Sequence, residues 1–197
     1  INEPRFHAYY MTFSGHYRYS FATNPMCKKN EELARQLAGD RGYSEPVLAY
    51  IACNLELEKA LTYLMDRLEQ KGVLDKTVIV LTGDHYPYGL NYNQYNELAG
   101  HEVDTKFAKF KSSFICYNSA MEPVTIDTPC ATPDILPTVL NLFGFTYDSR
   151  LLAGNDVLSS NKEHMAILST QSFITDKVMF DSGSNQVTYL VDEHSLA

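Results

Sequence analysis

One long segment of regular hydrophobic spacing constrains the fold more than any other part of the sequence. Apolar residues recur at helical spacing between a candidate N-cap at Ser44 and a candidate C-terminal stop at Gly72. The run "TVIVLT", residues 77–82, follows and predicts a buried strand, and the aromatic stretch Phe6–Ser14 predicts a strand before the helix. The order strand, helix, strand favours a parallel sheet, because parallel strands need a crossover connection.

The remaining segments extend this pattern and then change it. Residues 112–118 predict another strand, and "TPDILPTVLNLFG", residues 132–144, predicts a helix that begins near Thr132 and stops at Gly144. The last part of the chain holds short alternating runs separated by turn residues, which is typical of an antiparallel meander. The sequence therefore predicts the α/β class. An α/β region with a mostly parallel sheet spans residues 1–160, and an antiparallel β tail spans residues 161–197.

Composition excludes several classes of function. The 197 residues carry 16 Lys and Arg against 24 Asp and Glu, a formal net charge of −8. A nucleic-acid binder needs a basic face to displace counterions from phosphates, so we expect no nucleic-acid partner. No apolar run reaches the length of about 18–20 residues that a membrane helix requires, and no signal peptide is recognisable. We expect the chain itself to be soluble and, because it begins with Ile1 rather than Met, to be either an excised piece of a longer protein or a processed product.

The four cysteines form no C-x-x-C pair, so the sequence supports neither a zinc ribbon nor a thioredoxin-type redox site. They are Cys27, Cys53, Cys116 and Cys130. Four cysteines permit three disulfide pairings, and the sequence does not choose among them. Cys53 falls on the apolar face of the predicted helix and Cys116 in a predicted strand, so both are expected to be small buried apolar side chains rather than bridges.

Chemistry-bearing residues follow the predicted strand at residues 77–82. Asp84 and His85 come directly after Gly83, beyond the carboxyl end of the strand, where parallel sheets place their ligands. A carboxylate and a neutral imidazole are ordinary ligands of divalent ions such as Zn²⁺ or Mn²⁺. Two adjacent ligands do not complete a site, and a turn-capping aspartate beside a solvent-facing histidine would give the same dipeptide.

Other candidate residues carry weaker patterns. His16 lies just past the first predicted strand, so it could share the sheet edge with His85 and hold a phosphate oxygen or a metal. A hydrogen-bonded loop histidine is the alternative. His101 follows a glycine in a long loop without a partner pattern. Asp134 is explained by its position at a helix start, where the helix dipole stabilises a carboxylate.

Four stretches, in this order, resemble the sulfatase-like catalytic domain of the lipoteichoic acid synthase family, a branch of the alkaline phosphatase superfamily. They are "YYMTFSGHYRY" at 9–19, "VLDKTVIVLTGDHYPYG" at 73–89, "TPCATPDILPTVLNLFGF" at 128–145 and "RLLAGNDVLS" at 150–159. The resemblance is to the C-terminal half of that domain. It implies a partial alkaline-phosphatase-like, sulfatase-like three-layer fold with a mostly parallel sheet.

The resemblance also implies a chemistry. Asp84 and His85 would be two ligands of one divalent ion, Mn²⁺ or Mg²⁺, and His16 would contact the phosphate of the substrate. The reaction would transfer glycerol phosphate from phosphatidylglycerol through a phosphorylated threonine. That threonine and a glutamate ligand belong to motifs that this sequence does not contain, so no catalytic nucleophile is expected in this chain. The chain alone is expected to be inactive.

The resemblance leaves some features open. Arg18 stands where many relatives have proline, and His101 has no clear counterpart.

The parent protein would be anchored in the bacterial membrane with its catalytic domain on the extracytoplasmic side, and open sheet edges would allow the chain to pair with another copy. The alternatives are a parent sulfatase, phosphatase or phosphoethanolamine transferase, or a metal-free binding domain on the same fold.

Overall fold

The structure is a computed structural model that describes residues 5–160 and 163–192. The chain divides into two compact units, Ile1–Ala120 and Met121–Ala197. Among the described residues, no helix is both long and apolar enough to cross a bilayer. The predicted subdivision at residues 160/161 stays a prediction.

Four α-helices lie among the described residues of the first unit, and the longest matches the predicted one. They are α1 (Pro25–Lys29), α2 (Glu31–Ala38), α3 (Glu45–Gln70) and α4 (Tyr92–Ala99). Single 3₁₀ turns cover Gly39–Arg41, Leu74–Lys76 and Ala108–Phe110.

Helix α3 begins and ends where the sequence predicted, but the side chain of Ser44 does not cap it. Ser44 precedes the helix, but its hydroxyl makes no capping bond, and its backbone amide donates to the Glu97 carboxylate. At the other end Gly72 adopts φ +64°, a conformation that glycine adopts without strain, and its amide donates to Glu69 O at 2.8 Å. The predicted stop at Gly72 is therefore confirmed.

The core of the first unit lies between α1, α2 and the N-terminal half of α3. Small side chains allow the helices to approach closely, and large aromatic side chains from the preceding loop close one end. The buried apolar residues of this cluster are Tyr19, Phe21, Cys27, Ala34, Ala38, Leu48, Ala49, Ala52, Cys53 and Leu90.

The parallel sheet is not confirmed among the described residues. Strand β1 (Ile79–Thr82) pairs with β2 (Phe114–Tyr117) in antiparallel register, with Ile79 opposite Tyr117. The connection between them contains α4 and several turns, which gives the chain room to reverse direction. The strand predicted over Phe6–Ser14 is wrong, because that stretch has no regular secondary structure and α3 therefore joins no pair of parallel strands.

The second unit begins with a short helix. A 3₁₀ turn at Thr132–Asp134 leads into α5 (Ile135–Leu142), so the α-helix starts three residues later than Thr132. This later start places Pro137 in the first turn of α5, where its missing amide leaves no helical hydrogen bond unmade. A further 3₁₀ turn covers Ser149–Leu151.

An antiparallel meander completes the second unit, as predicted. Its strands are β3 (Met165–Ile167), β4 (Phe173–Thr175), β5 (Val178–Asp181) and β6 (Gln186–Tyr189), in the order β3-β4-β5-β6. The molecule is thus a mixed α/β protein. Residues 161, 162 and 193–197 of the predicted tail lie outside the described residues.

Candidate metal and phosphate site

Asp84 and His85 lie where the sequence placed them, just beyond the end of β1. Gly83 packs against Ser112, and a Cβ atom at Gly83 would be 2.8 Å from the Ser112 hydroxyl oxygen. A larger residue at this point would require the Ser112 side chain to move. After the turn, the side chains of Asp84 and His85 are 78% and 45% exposed, so both are available to a ligand.

Hydrogen bonding fixes which nitrogen of His85 is available. Its Nδ1 donates to Tyr86 O at 2.8 Å, because a carbonyl oxygen can only accept. In the neutral ring, Nε2 then carries the lone pair, and it lies 3.5 Å from Asp84 Oδ2. Two acceptors this close repel each other unless a cation, either a proton or a metal ion, lies between them. Metal-ligating histidines have the same arrangement, with the other ring nitrogen bonded to a carbonyl.

His16 shows the same orientation in the other candidate loop. Its Nδ1 donates to Tyr17 O at 2.8 Å, and its ring stacks on Phe13 with centroids 4.8 Å apart. His16 and Arg18 line a cavity of about 250 Å³, together with Asn24. His16 and Arg18 therefore line one cavity, and an imidazole and a guanidinium are groups that recognise phosphate oxygens.

The structure brings these two loops together. The rings of Tyr17 and Tyr88 lie 6.4 Å apart, and the ring of Tyr88 lies 4.7 Å from that of His85. Gly89 approaches Tyr17 and Tyr19 so closely that a Cβ atom there would overlap the Tyr17 ring. Tyrosine contacts and this glycine therefore link the loop of His16 with the loop of Asp84 and His85.

Two tyrosines, Tyr19 buried and Tyr95 partly buried, hold the backbones of the loops. The Tyr19 hydroxyl donates to Gly15 O at 3.3 Å, and the Tyr95 hydroxyl donates to Pro87 O at 2.9 Å. Burial raises the pKa of Tyr19, and it raises the pKa of Tyr95 to about 12. Both hydroxyls therefore keep their protons at neutral pH and remain donors.

Sequence reasoning missed the roles of Tyr17, Tyr19, Gly89 and Tyr95. His16 and His85 are each followed by tyrosines, which was the available indication, but the chain has 14 tyrosines and their positions alone are not informative. No sequence pattern pointed to a role for Gly89, because that role depends on its contact with Tyr17, which is far away in the sequence.

The other candidates, His101 and Asp134, each have hydrogen-bond partners of their own. His101 is exposed and donates Nδ1 to Glu102 O at 2.9 Å. Asp134 is 6% exposed in the second unit, with both carboxylate oxygens bonded to backbone amides. Within residues 5–160 and 163–192, no group of three or more His, Cys, Asp or Glu side chains could hold a metal ion. The assignment of Asp84, His85 and His16 to a site stays a prediction.

Comparison with known proteins identifies the class. The Sulfatase family model matches residues 2–145, more than half of the chain, and the chain belongs to this family. It is 26% identical over 181 residues to the lipoteichoic acid synthase of Staphylococcus saprophyticus, and 25% identical over 181 residues to that of Staphylococcus aureus. These matches cover 90% of this chain and 27% of each relative. The predicted resemblance is confirmed, and the chain spans about a quarter of the length of these curated relatives.

Proposed function

We propose that this chain is part of a metal-dependent phosphoglycerol transferase of the lipoteichoic acid synthase type. The reaction class is supported by the alignment of this chain with relatives that are named lipoteichoic acid synthase. The observation that carries the proposal is the pairing of Asp84 with His85, in which an oriented Nε2 and an exposed carboxylate oxygen lie 3.5 Å apart.

Asp84 and His85 would supply two ligands to a single Mn²⁺ or Mg²⁺ ion. Their donor set fits a divalent ion, because it combines carboxylate oxygens with an imidazole whose Nδ1 is bonded to Tyr86 O, which leaves Nε2 as the nitrogen that would bind the ion. The chemistry that such an ion supplies when bound is activation of an attacking oxygen and neutralisation of charge on the phosphoryl group.

His16 would bind the phosphate of the glycerol phosphate group. Its Nδ1 is held by Tyr17 O, so Nε2 is the nitrogen available to a substrate oxygen. Arg18 lines the same cavity, and its guanidinium would add attraction for an anionic head group. Phosphatidylglycerol has such a head group, and we propose it as the donor lipid.

The rest of the machinery would come from other parts of a longer protein. We propose that a threonine nucleophile and a glutamate ligand lie upstream of this chain, in a protein anchored in the bacterial membrane with its catalytic domain on the extracytoplasmic side. The 197-residue chain alone should then release no glycerol phosphate from phosphatidylglycerol. Metal-dependent release by this chain alone would contradict the proposed division.

The decisive experiment is a Mn²⁺ titration of the longer protein and of its Asp84→Ala and His85→Ala variants, followed by calorimetry. Loss of a group that only orients a metal ligand weakens metal binding by about 10–100-fold, and loss of the ligand itself should weaken Mn²⁺ binding at least as much. Asp66→Asn is the matched control, since Asp66 is an exposed aspartate on α3 in the same unit. Unchanged affinity in both site variants would remove Asp84 and His85 from the metal site.

Substrate assays separate the related activities. The longer protein should release glycerol phosphate from phosphatidylglycerol in the presence of Mn²⁺, and Asp84→Ala should abolish the release. Preferential hydrolysis of a sulfate ester or a simple phosphate ester, or transfer from phosphatidylethanolamine, would replace the proposed activity with that of a sulfatase, phosphatase or phosphoethanolamine transferase. If the longer protein neither binds Mn²⁺ nor turns over any of these substrates, the remaining alternative is a metal-free binding domain on the same fold.

A further inference from the structure

Two cysteines from different helices meet inside the first unit. Cys27 of α1 and Cys53 of α3 are both 0% exposed, and their Sγ atoms lie 3.0 Å apart. Non-bonded carbon atoms are separated by about 3.5–4.0 Å at their optimal distance, and sulfur is a larger atom than carbon. The two thiols are therefore in direct contact, and they are 26 residues apart in the sequence.

The surrounding contacts hold the two helices in this position. Asn30, at the end of α1, donates to Ala52 O at 3.2 Å and to the Glu56 carboxylate at 2.9 Å. Lys29 pairs with the same Glu56 at 2.6 Å. The Cys27–Cys53 contact is thus flanked by polar contacts between α1 and α3, and it does not depend on one mobile side chain.

Two kinds of chemistry could use a pair of thiols, a metal site and a disulfide. Within the described residues no third His, Cys, Asp or Glu joins the pair in a metal-binding group, so a metal site lacks ligands. Cys116 is half-buried in β2 and Cys130 is exposed in the second unit. A disulfide needs only the two sulfur atoms that are already in contact.

We infer that Cys27 and Cys53 are a disulfide site, oxidised by a small disulfide such as glutathione disulfide, and that the bridge fixes one wall of the cavity beside His16. The thiolate of one cysteine attacks glutathione disulfide and releases one glutathione thiolate. The second cysteine then displaces the other glutathione, which leaves as a thiolate. The two cysteines lose two electrons and two protons, and glutathione disulfide is reduced to two glutathione molecules. This inference does not depend on the proposed function.

Burial determines when the reaction occurs. Because the pair is fully buried, a glutathione molecule cannot reach either sulfur in the closed unit. Burial also raises the pKa of the Cys53 thiol to about 12, which keeps it protonated and unreactive in the folded state. The bridge therefore forms during folding or during local opening of α1, and it is protected from reductants once the helices close.

Asn24 connects the cysteine pair with the cavity. Its side-chain nitrogen donates to Arg18 O at 2.8 Å and lies 3.7 Å from Cys53 Sγ. Its side-chain oxygen accepts from the amides of Met26 and Cys27 at 2.9 and 3.5 Å. Asn24 and Arg18 both line the cavity beside His16. A covalent link between Cys27 and Cys53 therefore restrains this cavity wall as well as the two helices.

The test refolds the 197-residue chain from denaturant with either glutathione disulfide or a reductant. Alkylation under denaturing conditions and peptide mapping should find Cys27 linked to Cys53, with Cys116 and Cys130 alkylated. The oxidised protein should melt about 5–15 °C above the reduced protein. Amide exchange in residues 18–27 should also be slower in the oxidised protein.

Two double variants serve as controls. Cys116→Ala with Cys130→Ala should keep the difference in melting temperature, and Cys27→Ala with Cys53→Ala should lose it. Four alkylated cysteines after oxidative refolding, or a bridge between any other pair, would overturn the inference. An equal temperature shift in the Cys27 and Cys53 double variant would overturn it as well. If that variant does not fold, the peptide map of the wild-type chain decides alone.

Discussion

Two aspartates next to regular elements, Asp84 after β1 and Asp134 before α5, lie in opposite surroundings. Asp134 is 6% exposed, and its two carboxylate oxygens accept from Ala131 N and Asn155 N, each at 2.7 Å. The side chain of Asp84 is 78% exposed, and its near neighbour is His85 Nε2 at 3.5 Å. The same side chain is fully hydrogen-bonded inside one unit and open to solvent in the other.

The contacts around Asp134 give two of the sequence motifs, at 128–145 and 150–159, a structural role. The Asn155 amide belongs to "RLLAGNDVLS", and the Val157 amide of the same stretch donates to Thr138 Oγ1 at 3.0 Å. Gly154 lies so close to Pro133 that no side chain fits between them. We refer to this packed arrangement of Pro133, Asp134, Thr138 and residues 154–157 as the Asp134 corner. Its polar groups are used to join two segments, so none is left to bind a ligand.

The comparison shows how burial separates structural carboxylates from candidate ligands. A buried carboxylate persists only when hydrogen bonds replace its lost hydration, which commits its oxygens to the fold. An exposed carboxylate beside an acceptor nitrogen has no such commitment and can bind a cation. Stability measurements should therefore respond to changes at Asp134 and not to changes at Asp84.

The largest effect on stability is expected for Asp134→Ala. The variant leaves the amides of Ala131 and Asn155 without acceptors inside the second unit, and each lost charge-assisted hydrogen bond costs about 1.5–3 kcal/mol. We expect the free energy of unfolding to fall by about 3 kcal/mol, measured by urea denaturation with circular dichroism. Exchange at the Asn155 amide should also accelerate.

Asp134→Asn is the matched control for that measurement. Asparagine keeps one carbonyl oxygen of nearly the same position, so part of the stability should return. If Asp134→Ala unfolds no more easily than the wild type, the Asp134 corner does not depend on this carboxylate and the contrast between the two aspartates is lost.

A smaller effect is expected for Gly154→Ala. The added methyl group would overlap the backbone of Pro133, which cannot move without disturbing the start of the helix. Overpacking of this kind costs about 1–3 kcal/mol, so we expect a loss of about 2 kcal/mol in the same urea experiment. Gly183→Ala is the control in the same unit, since a Cβ there meets Asp181 Oδ1 at 3.4 Å. Equal losses in both variants would mean that crowding at Gly154 is not the cause.

The smallest effect on stability is expected for Asp84→Ala. An exposed side chain without a committed hydrogen bond contributes little, and such substitutions usually change the free energy of unfolding by no more than about 0.5 kcal/mol. The melting temperature should therefore stay close to that of the wild type. A loss comparable to that of Asp134→Ala would make Asp84 a structural residue and would remove the basis for treating it as a ligand.

Sequence patterns predicted the local elements well and the long-range pairing poorly. The helix expected between Ser44 and Gly72 is present as Glu45–Gln70, because its hydrophobic spacing and its terminal glycine act within a few turns. The strand expected at residues 77–82 is present as Ile79–Thr82. The stretch Phe6–Ser14 has the composition of a strand but no partner among the described residues, and composition alone does not form a sheet.

For the candidate site, the sequence likewise predicted the positions of residues along the chain but not the contacts between distant segments. The positions of Asp84 and His85 just past β1 follow from the sequence, because the apolar run must end before a polar turn. The orientation of the His85 ring and the contact between Tyr17 and Tyr88 do not follow, since they depend on how two separate loops pack. The sequence likewise favoured a buried apolar role for Cys53 and did not indicate that Cys27 lies 3.0 Å from it.

The sequence by itself determined where α3, β1 and the C-terminal meander form, which residues carry ligand chemistry, and which family the motifs resemble. These properties depend on the spacing and type of residues over short stretches of sequence. The tertiary structure decided the antiparallel pairing of β1 with β2, the commitment of Asp134 to the fold and the meeting of Cys27 with Cys53. Each of these depends on contacts between segments far apart in the chain, whose relative positions are set by packing and loop paths rather than by local pattern.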